Sequence, residues 1–191
     1  MSDDSDTGNG SGRPPRKRKA RVDHGPRPVT ATYLRNAAMA YLKQRAASRA
    51  MLRQTLVRRA RRRLRVKTLE PETTAAIETL IEALAADKFV DDATFARGRR
   101  TTLQAKGLPR RRIALGLKLK GIEAETIEAT LSDGVDDIAQ GRRYAERRRL
   151  GPWSRKNATP DQHRKDLAAM VRAGFSYTVA QKAFNPRNDD D

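Results

Sequence analysis

Apolar residues recur along the chain at the three- and four-residue spacing of amphipathic helices, and the pattern itself repeats. From Leu34 to Phe95 the spacing recurs at an offset of 61 residues, pairing Leu42 with Leu103, Leu52 with Ile113, Leu56 with Leu117 and Ala60 with Gly121. Each of these units opens on a helix, breaks near Ala46–Ser48 or Gly107–Pro109, and resumes a helical period. A third unit takes shape around Tyr144. Its last helices follow the second unit at an offset of 53, pairing Leu117 with Met170, Gly121 with Gly174, Ile122 with Phe175 and Leu131 with Phe184. Within the first unit, a helix from about Glu72 to Ala86 sets Ile77, Leu80, Ile81 and Leu84 on one face.

Capping chemistry supports these boundaries. Asp91 has the chemistry of an N-cap, and Val90 before it stands at the hydrophobic-staple spacing from Phe95. Pro109 suits the first turn of a helix, where its missing N–H has no partner to lose. Gly121 and Gly174 stand where a helix ends in the left-handed conformation, with Ile122 and Phe175 placed to touch Leu117 and Met170. Ser176 then caps the last helix. Gly116 lies inside a helix, where close packing against a neighbour is the expected reason. The Leu, Ile and Met stripes read as ordinary core, not as ligand grooves.

The expected fold is therefore all-α: tandem three-helix repeats, three units, forming an elongated curved array. A unit of three short helices buries little alone, so neighbours are expected to stack on one another. The expected divisions are a disordered basic tail over 1–28, repeats over 29–90, 91–135 and 136–185, and an acidic tail over 186–191. The first tail carries the run Arg13 to Arg21, which reads as a nuclear address or as a phosphate-binding arm.

Composition narrows the function. Lys and Arg number 41 against 23 Asp and Glu, a formal charge of +18, while aromatic residues are only 5% of the 191-residue chain. So few aromatics disfavour a β-sandwich, and a field of this sign favours nucleic acid or an acidic protein surface. With no cysteine there is neither a disulfide nor a thiolate metal site, and the reducing cytoplasm is the expected compartment. No apolar run approaches the roughly 18 residues of a membrane span, and the acidic start is wrong for a secretory signal.

Catalytic signatures are missing from the pattern. No Gly-x-x-x-x-Gly-Lys-Ser/Thr loop is present. The carboxylate pairs Asp91–Asp92 and Asp136–Asp137 fall at helix starts, where adjacent residues face different ways and capping explains them better than acid–base or metal chemistry. His163 has no nucleophile or acid beside it in sequence and reads as a surface residue. No enzyme activity, cofactor or metal is expected.

The basic residues carry the candidate interface. Arg58, Arg59, Arg61, Arg62, Arg63 and Arg65 crowd eight positions and are expected to run past the end of the first unit's second helix. Arg97, Arg99, Arg100, Arg110, Arg111 and Arg112, with Lys118 and Lys120, fall in the second unit; Arg142, Arg143, Arg147, Arg148 and Arg149 fall in the third. A solvated helix face accounts for part of this set. The arginine bias suits bidentate recognition of phosphate or carboxylate. Only Trp153 and Tyr144 stand near these charges as stacking platforms, so nucleic acid, if bound, is expected to be held by its backbone in a salt-dependent way.

Four segments bring a family into view: Ser48 to Leu56, Phe89 to Ala96, Gly107 to Ile122, and Ala173-Gly-Phe-Ser176. In this order and spacing they resemble the bacterial RecX regulatory proteins over about residues 33–184. The resemblance implies tandem three-helix repeats. It also implies a non-enzymatic regulator that binds the RecA filament on single-stranded DNA and inhibits its ATPase, strand exchange and growth, so modulating recombination, DNA repair and the SOS response. Arg58, Arg59, Arg61, Arg62, Arg63, Arg97, Arg99, Arg100, Arg110, Arg111, Arg112, Lys118 and Lys120 are the expected contacts to RecA or DNA, made by a monomer. Ala60 stands where the family pattern has a helix-ending glycine, and the stretch Arg61 to Glu70 is an extension of that pattern. The alternative is a nucleic-acid-binding protein that acts on the phosphate backbone without RecA; a repeat scaffold for another acidic protein is the third reading.

Overall fold

The structure, a computed structural model, describes residues 25–132, 134–155 and 159–185, and every regular element among them is helical. The chain forms α1 (Ala31–Leu42), α2 (Arg49–Leu64) and α3 (Pro71–Ala86), then α4 (Asp92–Gln104), α5 (Arg110–Lys118) and α6 (Ala124–Leu131). The last triplet is α7 (Asp137–Arg148), α8 (Pro160–Ala173) and α9 (Tyr177–Phe184), with the short 3-10 turn Gly151–Trp153 after α7. Most helices start on an oxygen side chain that satisfies an orphan N–H. Thr30, Ser48, Asp91, Asp136, Thr159 and Ser176 each accept from a backbone N–H two or three residues on.

The Schellman expectation holds at both glycines. Gly121 and Gly174 have φ of 72° and 105°, and the N–H groups of Ile122 and Phe175 donate back to Leu117 O and Met170 O at 3.3 and 3.2 Å. The N-terminal reading of Pro109 shifts by one position: it caps α5 with extended backbone, and the helix begins at Arg110. Gly116 does mark close packing, since a methyl built there would lie 3.4 Å from Leu103 Cδ1 on α4.

Neighbouring triplets pack against each other at seams, but each keeps a core of its own. Leu34, Leu52, Leu56, Ile77, Ile81 and Leu84 fill a first core; Ile113, Leu117, Ile122 and Leu131 anchor a second; Leu167, Met170, Phe175 and Phe184 anchor a third. Each triplet closes around its own buried apolar stripes. Val90 is buried in the first core and Phe95 packs against the second, so the expected staple pair is divided between two cores.

The units are joined instead by polar caps and tight backbone contacts. Asp92, the first residue of α4, accepts from the Arg49 N–H of α2 at 2.8 Å. Asp137, the first residue of α7, accepts from the Arg110 N–H of α5 at the same distance. The second aspartate of each pair thus caps a helix of the preceding unit, while the first caps its own. Ser48 Oγ donates to Lys120 O at 2.5 Å across the first seam. Gly121 lies against Ala50 there, and at the second seam Gly107 meets the α7 backbone.

Of the tail expected to be disordered over 1–28, residues 25–28 are described and are held in place: the Arg27 N–H donates to Arg63 O at 3.0 Å, and Arg63 Nε donates to Pro28 O at 2.7 Å. Residues 1–24 and the acidic tail from 186 lie outside the described residues. Gly98 shows the opposite of a required glycine. It sits in mid-α4 with nothing within 4 Å of a built Cβ. Gly98→Ala is expected to stabilise the protein by about 0.5–1 kcal/mol through helix propensity; an unchanged or lower urea midpoint would count against an open, regular helix at that position.

Candidate polyanion and partner interface

The first basic cluster does not run past α2. With no glycine at Ala60 to release the chain, the helix continues through Leu64, and Arg65 takes the left-handed cap at φ 59°. Helical geometry then divides the arginines. Arg59 and Arg63 fall on the side facing α1 and the strap 25–30. Arg59 Nη1 donates to Ala37 O at 3.1 Å, and the Arg63 guanidinium lies over Tyr33 at 4.1 Å. Arg58, Arg61 and Arg62 form an exposed row on the other side, and Arg65 at the helix end is exposed as well. Where the two sets meet, Arg27, Tyr33, Arg59, Arg62, Arg63 and Arg65 line an open cleft of about 460 Å³.

The second cluster is divided in the same way. Arg100 Nη1 donates to Thr130 O at 2.5 Å and ties α4 to α6. Arg110 donates to Leu131 O at 2.6 Å and to the Glu128 carboxylate at 2.7 Å, besides its backbone bond to Asp137. Both are structural side chains first. Arg97 reaches Thr94 Oγ1 at 2.8 Å from an exposed position, and Arg99 is half-buried. Lys120 is half-buried and contributes its carbonyl to the Ser48 bond. Arg111, Arg112 and Lys118 are exposed on α5, with the Arg112 stem lying against Gly174 of the third triplet. The thirteen expected contact residues therefore do not form one face.

Sequence reasoning passed over the apolar members of this surface. Leu115 and Leu119 are 45% and 75% exposed, on the opposite side of α5 from the buried Ile113 and Leu117. The readable signal was a leucine two positions off the core stripe, flanked by Arg111 and Lys118. Leu115 joins Arg111, Arg112, Lys118, Arg172 and Gly174 along a groove of about 570 Å³ between the second and third triplets.

Both expected stacking platforms belong to core packing: Tyr144 pairs with Phe175 at 5.7 Å between ring centroids, and Trp153 packs on the third core. His163 is exposed and lies edge-on to Phe184 at 5.7 Å. The perturbed ionisations are structural. The Thr94 backbone N–H, and then its hydroxyl, hold the Asp91 carboxyl below the usual carboxylate range. Lys165 and then Arg164 do the same for Asp161, while Arg53 donates through Nε and Nη2 to the two oxygens of Glu78, which strengthens its hold on its proton. Among the described residues, no group of three or more His, Asp or Glu is placed to hold a metal, and no helix is long and apolar enough to cross a membrane.

Three linked helical triplets with separate cores and a cationic outer surface define a tandem three-helix repeat protein. Residues 91–131, the span of α4 to α6, match the family model described as the second three-helix domain of RecX. A regulatory protein RecX of Myxococcus xanthus is 36% identical over 176 residues, 90% of this chain and 94% of the relative, and the chain belongs to the RecX family. A second regulatory protein RecX, from Agrobacterium fabrum, is 28% identical over 152 residues, 79% of this chain and 81% of the relative. The crystal structure of RecX from Lactobacillus salivarius shares the fold at a TM-score of 0.61, with 21% identity over 80% of this chain and 93% of that one.

Proposed function

We propose that this protein binds the RecA filament on single-stranded DNA and inhibits its ATPase, strand exchange and growth, acting as a non-enzymatic modulator of recombination and repair in the cytoplasm. The observation that carries the reading is membership of the RecX regulatory family, joined to a surface built for a charged partner. Arg58, Arg61, Arg62, Arg97, Arg111, Arg112 and Lys118 are exposed, and the α5 leucines lie among the last three.

Three units linked in series, each with its own core, present several contact patches on one molecule. Once one patch is engaged, the others act at high effective concentration, so weak contacts sum to tight binding of a polymer. A ligand that engages several filament subunits in one arrangement favours that arrangement over the others, and turnover that needs rearrangement slows.

Titration of the purified protein into RecA on single-stranded DNA is expected to suppress ATP hydrolysis at substoichiometric amounts. Unchanged turnover at equimolar protein rejects the proposal. The arginine cleft at the end of α2 favours a second reading, nucleic-acid binding without RecA. Retention on bare and on RecA-coated DNA at physiological salt separates the two, the first reading requiring preference for the coated form.

A further inference from the structure

At the seam between the first two triplets, Ala46, Ala47, Phe89, Phe95, Gly98 and Arg99 line a groove of about 570 Å³. Phe95, Gly98, Arg99 and Thr102 stand at positions i, i+3, i+4 and i+7 of α4 and so share one face of that helix. The turn after α3 supplies another part of the lining. There Lys88 takes the left-handed conformation at φ 61°, and the Phe89 that follows it is 50% exposed.

The fold leaves three features of this groove unused. The Phe89 ring belongs to neither adjoining core. Gly98, in the middle of α4, has nothing within 4 Å of a built Cβ, so the helix face carries a notch where any other residue would place a side chain. Arg99 Nε is shielded from solvent yet has no hydrogen-bond partner, an arrangement that costs free energy until an acceptor arrives.

Together these features select an occupant. Two phenylalanine rings, two alanines and a glycine suit one large apolar side chain, and burial of such a group is what anchors a short segment to a surface. Lys88 and Arg99 make no ion pair among the described residues, and guanidinium donors suit a carboxylate. A nucleic-acid strand fits less well. Asp91 also lines the groove, and its bonds from Thr94 hold its carboxyl below the usual carboxylate range, so it stays charged. A run of phosphates would meet that charge with only two lining cations to offset it, whereas a single carboxylate needs no more than Arg99.

We propose that this groove is a docking site for a peptide segment that presents one large apolar side chain beside a carboxylate, the apolar group seated at the Gly98 notch and the carboxylate on Arg99. The inference does not rest on the RecA reading.

The test uses the full chain, isotope-labelled for amide spectra and free of RecA and nucleic acid, with the capped pentapeptide Asp-Asp-Phe-Asp-Asp as the probe. The amide signals of Phe89, Phe95, Gly98 and Arg99 are expected to move together with one concentration dependence. Asp-Asp-Ala-Asp-Asp keeps the charge and is expected to bind at least about tenfold more weakly. Gly98→Leu fills the notch from an open helical position, so it is expected to melt no lower than the wild type while losing about tenfold in affinity for the phenylalanine peptide. Arg99→Gln is expected to reduce the preference for this peptide over Asn-Asn-Phe-Asn-Asn. Equal binding of the phenylalanine and alanine peptides, or undiminished binding to Gly98→Leu, overturns the site. Signals that move instead along Arg58 to Arg65, or evenly over the exposed cations, also overturn it and show general charge attraction. An oligothymidine that moves the same four amides, with the same loss in Gly98→Leu, overturns it in favour of nucleic acid. A wild-type protein that binds the peptide in this way while leaving RecA turnover untouched removes the filament reading and leaves the groove standing.

Discussion

Gly107→Ala is expected to lower the thermal midpoint of the protein by about 10 °C. Gly107 has φ +68°, and a Cβ built on it would lie 2.8 Å from Tyr144 N and 3.1 Å from Gln140 O, both backbone atoms of α7. The left-handed conformation costs an alanine roughly 1–2 kcal/mol. The overlap costs a further 1–3 kcal/mol or so, because a helix backbone cannot yield as a side-chain tip can. A total of about 3 kcal/mol is a large share of the stability of any domain, and at about 2–4 °C per kcal/mol for a chain of this size it gives the stated shift. Gly134 supplies the control: its φ is +74°, but nothing lies within 4 Å of its built Cβ. Gly134→Ala should show the conformational cost alone, a loss of only a few degrees by far-UV circular dichroism. Equal melting of the two variants would mean that the second and third triplets are not held by this backbone approach.

Features written within a few residues were legible before any coordinates. The repeat offsets, the caps at Asp91 and Ser176 and the two Schellman glycines depend on local spacing, which the helix period and the cap rules decode directly. What escaped is what distance in sequence hides. Asp92 and Asp137 cap helices 43 and 27 residues away, and no local pattern distinguishes such an aspartate from one that caps its own helix. The same limit applies to the candidate site. Arg58 and Arg59 are neighbours in sequence, yet one faces solvent and the other bonds Ala37 O; Arg110 and Arg111 divide likewise. A charge run shows that cations are dense but not which of them another backbone has already engaged. The end of α2 lies further on than the spacing predicts for a related reason. Without glycine at 60 the helix finds its left-handed terminus at Arg65, and Val66 N–H closes the turn on Arg61 O at 3.1 Å. That extra turn builds both the arginine row and its cleft.

Reversal of charge on α5 is the largest functional effect expected. Arg111→Glu with Lys118→Glu replaces two exposed cations that flank Leu115 on the groove between the second and third triplets. The fold tolerates both changes. Arg111 lies in the first turn of α5, where the helix dipole favours a carboxylate, and the adverse end effect at Lys118 in the last turn is only about 0.3–1 kcal/mol. If these cations meet an acidic filament surface, each attraction becomes a repulsion. A change of a few kcal/mol in binding then moves the concentration for half-inhibition of RecA ATPase upward by at least about tenfold. Leu115→Ala separates an apolar anchor from a purely electrostatic contact: it should weaken inhibition at high salt as much as at low salt, whereas the charge reversals should matter less as salt rises. Full inhibition by the doubly reversed protein, at the wild-type concentration and low salt, would exclude the α5 groove as the filament face and transfer that role to the outer row of α2.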